Sequence, residues 1–549
     1  MRLLFRLNLL QKMGHFTSSR TVPLWGKLVC AYVFFFLLFS AYFLLPSFTS
    51  LDDQFFNIKF AELIRERGMA AFSHFDWFSG VGSYAWHANM LFYVFLIPFT
   101  FVEPLELGIK LYAVASLSFT FCVVYAFFSV LRVRHAFILS LLILAICFIP
   151  LVVWRFLMAR SFVVLPAFLL LELIFLIQRR FLWIAILAFL YFFWHIGTFF
   201  FPLVVAVVYV VALIFEGKSW NRWMVLAPLV GTLVAAISGG FLSPGFLDGF
   251  SESFLTIFKT IFETGFSKQV IIQEGVEVYP FNIFDLYGLA PVLMMSLIFF
   301  LVRDTEGYLT RLRRKEEAGF QYDAIWGTLF LLTIIFLLGT LITKRMLDFF
   351  VVFASVFLLY RLRHVLDHWK RERAVNIAIG VVIFFGLLTN LLLVGDQISQ
   401  TRRYTSIRGV AEWLTRNSQS GEIVFNPTIN YFSTFFFFNH FHNRFIIGME
   451  PRLLYEADPE KYWLWYHVSN EGKVCDQQVC DSDILSGKDA QEKGLIVARM
   501  MQTEFSAQFV IVSGEFASLL EIVRGSTAFQ KVYTDPIDGY YEVYFIRPE

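Results

Sequence analysis

The sequence predicts a polytopic α-helical membrane protein with a C-terminal extracytoplasmic α/β domain. Three observations predict it. The first is composition: 58% of the 549 residues are hydrophobic and 16% are charged, the mean hydropathy is +0.65, and a soluble domain carries about 25% charged residues. The second is a series of long apolar runs separated by basic loops. The third is a tail from residue 396 onward in which the apolar runs stop and helix and strand patterns alternate. The net charge of +2 and the clustering of basic residues by loop, not over one face, leave no nucleic-acid surface. The 69 phenylalanines suit lipid-facing helices.

Arg2, Arg6, Lys12, Arg20 and Lys27 precede the first apolar run, 28–45. Signal peptides share that layout, but this run is long for one and PSFTS offers no small-residue cleavage site. An uncleaved first helix follows from this, with residues 1–27 as a cytoplasmic N-terminus. A span needs about 20 apolar residues, fewer where neighbours shelter its ends. On that basis helices are expected near 28–46, 108–131, 137–153, 161–177, 181–195, 199–215, 223–241, 286–302, 324–343, 346–361 and 375–395, about eleven spans. The 181–215 run reads as one long tilted helix or two short ones breaking at His195-Ile196-Gly197.

Lys/Arg bias orients these spans. With the N-terminus cytoplasmic, Arg132/Arg134, Arg179/Arg180, Lys218/Arg222, Arg303 with Arg311–Lys315, and Arg361–Arg373 all fall inside. The parity holds only if 90–102 does not span, and that segment is short and contains Pro98. The membrane domain is then 28–395, with outer loops 47–107 and 242–285. In the second loop Phe254, Ile257, Phe258, Ile261, Phe262 and Phe266 repeat at helical spacing opposite Glu252, Lys259 and Glu263, which predicts an interfacial helix. The segment after it is a plain loop or a flap over a site.

The first outer loop opens on two adjacent acids, Asp52 and Asp53. Carboxylates where a chain leaves the bilayer are costly to desolvate, so they are either a polar stop in headgroup water or functional groups. Two outer turns break the charge bias: Arg155 and Arg160 flank one, and Lys344-Arg345 forms the other. Such cations snorkel to lipid phosphate or recognise the phosphate of a lipid-linked substrate. Within the spans, ionisable residues are few apart from Glu172 and His195. Cys30, Cys122 and Cys147 lie in apolar runs as small core residues.

The tail, 396–549, predicts helices near 405–416, from 458–459 (Asp458 capping, Pro459 in the first turn), near 489–504 and at 515–524. Strands are expected at 421–425, 444–448 and 508–513, followed by a terminal pair joined by Pro-Ile-Asp-Gly. Cys475 and Cys480 sit in a polar loop, where an outside location permits a disulfide. The aromatic run FSTFFFFNHFHNR, 432–444, reads as a buried element packed on the membrane domain. Its alternative is a sugar platform with Asn439, His440, His442 and Asn443 as polar contacts. His440 and His442 have no acid or Cys beside them, so zinc is not expected.

No Gly-rich phosphate loop, H-E-x-x-H, G-x-S-x-G or nucleotide fingerprint is present. An outer-facing transferase must use a lipid-linked donor, because nucleotide donors stay inside. The order of first helix, D-D, F-F-N-I-K-F-A-E-L-I, then D-W-F-S-G and W-H-A-N-M-L-F-Y resembles the first outer loop of the C-type (GT-C) membrane glycosyltransferases. That superfamily includes oligosaccharyltransferase catalytic subunits, protein mannosyltransferases and aminoarabinose transferases, and the layout is also similar to the bacterial YfhO-like group. The resemblance implies transfer from a polyprenyl-phosphate-linked sugar to an extracytoplasmic acceptor, with Asp52 or Asp53 at the acceptor. Substrate contacts would come from Arg160, Lys344, Arg345, His195 and His87, the last within W-H-A-N-M. The 154–160 turn lacks a D-x-D pair and the tail lacks W-W-D, which argues against transfer to asparagine and against a bound metal; a divalent cation is the one cofactor left open. Two rival expectations stand beside it: a non-catalytic protein of the same fold acting in cell-envelope glycan assembly, and a transporter.

Overall fold

The computed structural model describes residues 23–44, 54–68, 89–133, 135–147, 155–156, 160–242, 324–368, 402–428, 432–440, 442–448, 451–481, 483–537 and 539–548, with isolated positions between 255 and 298. The helices of the membrane body are α1 (Leu24–Phe43), α2 (Gln54–Arg67), α3 (Met90–Leu96), α4 (Leu105–Val130), α5 (Ala136–Cys147), α6 (Leu165–Ile177), α7 (Phe181–Trp194), α8 (Phe201–Phe215), α9 (Trp223–Leu242), α10 (Ala324–Ile342) and α11 (Leu347–His368). Among the described residues, five stretches are long and apolar enough to cross a membrane: 24–41, 105–130, 196–215, 223–241 and 324–342. The helices over 90–101, 161–177 and 181–194 are apolar but shorter. The spans expected at 286–302 and 375–395, and the interfacial helix at 254–266, lie wholly or mostly outside the described residues.

Each span buries one stripe and exposes another. In α1, Ala31, Phe35, Phe39 and Phe43 recur every four residues and are buried, while Val29, Val33 and Leu37 are exposed. A helical period of 3.6 puts each set on its own face. Exposed apolar side chains of that kind suit lipid, where close packing and not hydrophobicity holds helices together. Gly231 of α9 shows such packing: a Cβ there would lie 2.1 Å from the Ala185 carbonyl oxygen of α7.

The 181–215 run is two helices. His195 leaves α7 with an extended backbone, Ile196–Thr198 forms a 3-10 turn, and α8 restarts with Pro202 in its first turn. Proline is tolerated there because that N–H has no helical partner. The two ends of the bundle are marked differently. At one, the Ala324 N–H donates to Glu216 Oε2 at 2.9 Å, beside Lys218 and Arg222. At the other lie His195, Arg160, Lys344 and Arg345. Residues 90–101 form α3 and a 3-10 turn.

The C-terminal domain holds α12 (Arg402–Asn417), α13 (Phe432–Asn439), α14 (Pro451–Ala457), α15 (Pro459–Glu471), α16 (Ala490–Thr503) and α17 (Ala517–Arg524). Its strands are β1 (Ile423–Phe425), β2 (Arg444–Phe445), β3 (Ala507–Ser513), β4 (Phe529–Thr534) and β5 (Tyr541–Ile546), in the order β2-β1-β3-β5-β4. β1 runs parallel to β2 and β3, and β5 antiparallel to β3 and β4. The parallel pairs need long crossovers, which the helices provide. Asp458 caps α15 by accepting from the Lys461 N–H at 3.0 Å.

Candidate functional site

The site builds from three turns at the His195 end. At the α7–α8 break, Thr198 Oγ1 lies 3.1 Å from the Tyr191 hydroxyl and 3.2 Å from His195 Nδ1. The His195 ring packs 4.3 Å from Phe162, and Trp194 Nε1 donates to the Ser161 carbonyl at 2.9 Å. This fixes the imidazole beside the turn that begins at half-buried Arg160.

Between α10 and α11, Thr343 Oγ1 accepts from the Arg345 N–H at 3.4 Å and caps a 3-10 turn over Lys344–Met346. Lys344 Nζ sits 5.3 Å from the centre of the Phe281 ring. Arg345 lies close enough to His195 for its charge to act on the ring. Its Nε is buried with no hydrogen-bond partner among the described residues. A guanidinium nitrogen left that way is costly, and an anion would satisfy it.

Arg155 does not join this set. Its Nε lies 2.9 Å and 3.1 Å from the two Asp348 oxygens and its Nη2 3.0 Å from Oδ2. The side chains are 5% and 2% exposed. The outer cation that the sequence offered to a substrate phosphate has its anion inside the protein, on the first turn of α11. Asp348 gave no signal in the sequence because its partner comes from a distant turn.

The third part is α2, directly after the acid pair. Asp52, Asp53 and His87 lie outside the described residues, and the chain resumes at Gln54, which is buried. The Arg65 guanidinium donates to the Thr100 carbonyl at 2.6 Å and stacks 5.0 Å from Phe101. The Tyr93 hydroxyl donates to Asn57 Oδ1 at 3.2 Å. The opposite face of α2 meets α13 of the C-terminal domain: Phe55 packs 4.8 Å from Phe437, and Phe56 4.8 Å from Phe436. Lys59 pairs with Glu62 and reaches His440 Nδ1 at 2.9 Å. Burial, then the Lys59 charge, lowers the His440 pKa, with Glu62 and Glu66 opposing. His440 adopts a left-handed backbone, φ 52°, at the end of α13, where glycine or asparagine is usual.

The aromatic run is thus a buried helix that docks the tail onto the body. Apart from His440, its polar residues serve the domain itself. Asn439 donates to Asn443 Oδ1 at 2.9 Å, Asn443 donates to Ser418 Oγ at 2.8 Å, and His442 Nε2 lies 2.8 Å from the Ser418 carbonyl. Cys475 and Cys480 are present as thiols. They are close enough to hydrogen-bond, and burial first, then the Cys475 contact, pushes the Cys480 thiol up to about 12. Among the described residues, no three His, Cys, Asp or Glu side chains gather as a metal would require. No protein-family model matches the chain, and no curated protein matches it.

Proposed function

We propose that the chain is a multi-pass membrane glycosyltransferase, N-terminus cytoplasmic and tail outside, that moves a sugar from a polyprenyl-phosphate carrier to an extracytoplasmic acceptor. The observation that carries this is the buried Nε of Arg345, which has no hydrogen-bond partner among the described residues and lies beside Lys344 and His195. In the reaction, the acceptor oxygen bonds to the anomeric carbon as the bond to the carrier phosphate breaks. The electron pair leaves with the phosphate, which Arg345 and Lys344 stabilise without protonating it. Asp52 or Asp53 takes the acceptor's hydroxyl proton. The apolar helices provide the surface for the polyprenyl chain.

A second reading, a non-catalytic protein of the same layout in envelope glycan assembly, is favoured by the Asp348 carboxylate being held in an ion pair and so unavailable as base or ligand. Proteoliposomes supplied with radiolabelled polyprenyl-phospho-sugars and a cell-surface glycan extract separate the two. The enzyme is expected to transfer label and to lose transfer in Asp52→Asn or Asp53→Asn with carrier binding kept. Absence of transfer from every donor by folded protein leaves the assembly reading.

A further inference from the structure

Glu172 lies in the middle of α6, 1% exposed, and neither carboxyl oxygen has a hydrogen-bond partner among the described residues. An uncompensated carboxylate in an apolar interior is among the most expensive groups a protein can hold. In a membrane interior an ionisable side chain without a structural partner marks a functional site by default. The group that compensates it is a cation or a proton. A metal cation needs several oxygen ligands, and no such set is found among the described residues. A proton needs none.

A route to that carboxyl exists. Tyr191 packs 6.2 Å from Phe168, which lies one turn before Glu172 on the same face of α6, its hydroxyl lies 3.1 Å from Thr198 Oγ1, and Thr198 Oγ1 lies 3.2 Å from His195 Nδ1. His195 stands at the helix break, under the influence of Arg345. The other elements packed on α6 are α4, α8 and α11. α4 carries Glu106, Lys110, Tyr112, Cys122 and Tyr125, α8 carries Tyr209, and α11 carries Asp348 (paired with Arg155), Tyr360, Arg361, Arg363, His364, Asp367 and His368.

We infer that Glu172 is a buried proton-binding site that exchanges with the His195 end of the bundle through Tyr191, Thr198 and His195. A hydroxyl both donates and accepts, so each can pass a proton and end as it began. A proton arriving at His195 Nε2 releases the Nδ1 proton to Thr198. Thr198 gives its own to Tyr191, and Tyr191 gives its own to the carboxylate, which becomes the acid. The imidazole finishes in its other tautomer. The last transfer needs rotation of the Glu172 side chain, since no hydrogen bond joins it to Tyr191. This site does not depend on glycosyl transfer.

The test is labelling of the full chain with dicyclohexylcarbodiimide, an apolar reagent that adds to a protonated carboxyl and leaves a stable N-acylurea where water is excluded. Peptide mass mapping is expected to find Glu172 modified, increasingly so as pH falls, and a water-soluble carbodiimide is expected to miss it. After a pH drop, Tyr191→Phe and Thr198→Val are each expected to slow the rise in labelling at least about tenfold, with the final extent unchanged. Both variants keep side-chain shape, and the wild-type result stands even if they fold poorly. Three outcomes overturn the proposal: no label on Glu172 at any pH in folded protein; labelling that ignores pH, as a permanently protonated structural acid would give; or variants that respond as fast as wild type.

Discussion

Arg155 and Asp348, 193 residues apart in sequence, meet in a buried two-point ion pair that joins the turn before α6 to the first turn of α11. A planar guanidinium and a carboxylate match in this geometry. Removing one partner strands a charge in an apolar setting, which costs roughly 3–5 kcal/mol. Asp348→Asn and Arg155→Met are each expected to lower the thermal midpoint of detergent-solubilised protein sharply. The double change Arg155→Met/Asp348→Leu is expected to recover most of that loss. Additive losses in the double variant would show that the two residues act separately.

Arg345 has a different expected signature. Its role is to hold an anion, so Arg345→Gln is expected to leave the midpoint within about 0.5 kcal/mol of wild type. Binding of a polyprenyl phosphate should weaken roughly tenfold or more, since charged hydrogen bonds contribute about 1.5–3 kcal/mol each. Arg345→Lys keeps the charge but loses the planar fork, and should fall between the two. Equilibrium binding of a fluorescent polyprenyl phosphate reads all three.

The Lys59–His440 contact responds to pH. Burial and then the Lys59 charge lower the His440 pKa below its ordinary value of 6.5. The folded protein therefore binds fewer protons than the unfolded chain in that range, so stability falls as pH drops past 6.5. The docking of α2 on α13 should loosen on acidification, read by hydrogen exchange at residues 54–67. His440→Asn suits the left-handed backbone at φ 52° and should remove the pH dependence. Unchanged pH dependence in that variant would assign it elsewhere.

Glu542 loses stability in the same direction, at lower pH and for a different reason. Burial would raise its carboxyl, but hydrogen bonds from Arg524, Lys531 and Tyr544 hold it at about 2. The stabilisation is present above the ordinary carboxyl value of 4.5 and is lost as pH falls through about 2. Glu542→Gln is expected to destabilise the C-terminal domain by roughly 2 kcal/mol at neutral pH and to flatten its acid-unfolding profile, followed by tryptophan fluorescence.

Close helix packing gives a further check. Gly231→Leu places side-chain atoms against the Ala185 carbonyl and is expected to destabilise by about 2 kcal/mol or more. Gly217, whose added Cβ would meet nothing within 4 Å, is a loop control only for side chains that tolerate φ 69°, such as Asn.

Apolar runs revealed the long apolar helices because burial in lipid or protein demands them residue by residue, and α/β alternation in the tail was equally local. Asp458, Pro459 and the terminal strand pair were legible for the same reason. The Arg155–Asp348 pair was not: two charges in separate loops carry no mutual signal until the chain folds. The aromatic run 432–438 has no period, so its helical state was not legible; the helix packs on Phe55 and Phe56 of α2 and on Phe445 of its own domain. Glu172 stood out in the sequence as a charge in an apolar run, but its lack of hydrogen-bond partners among the described residues is a tertiary fact.

The docking of α2 on α13 also orders events in time. Lys59 and His440 lie 381 residues apart, so at about 5–20 residues per second a ribosome needs roughly 20–80 s to supply the second surface after the first. Throughout that interval Phe55, Phe56 and Lys59 emerge without the helix that later covers them. A nascent chain arrested before residue 432 would keep this face open to a chaperone or a protease, and release of the finished tail would close it.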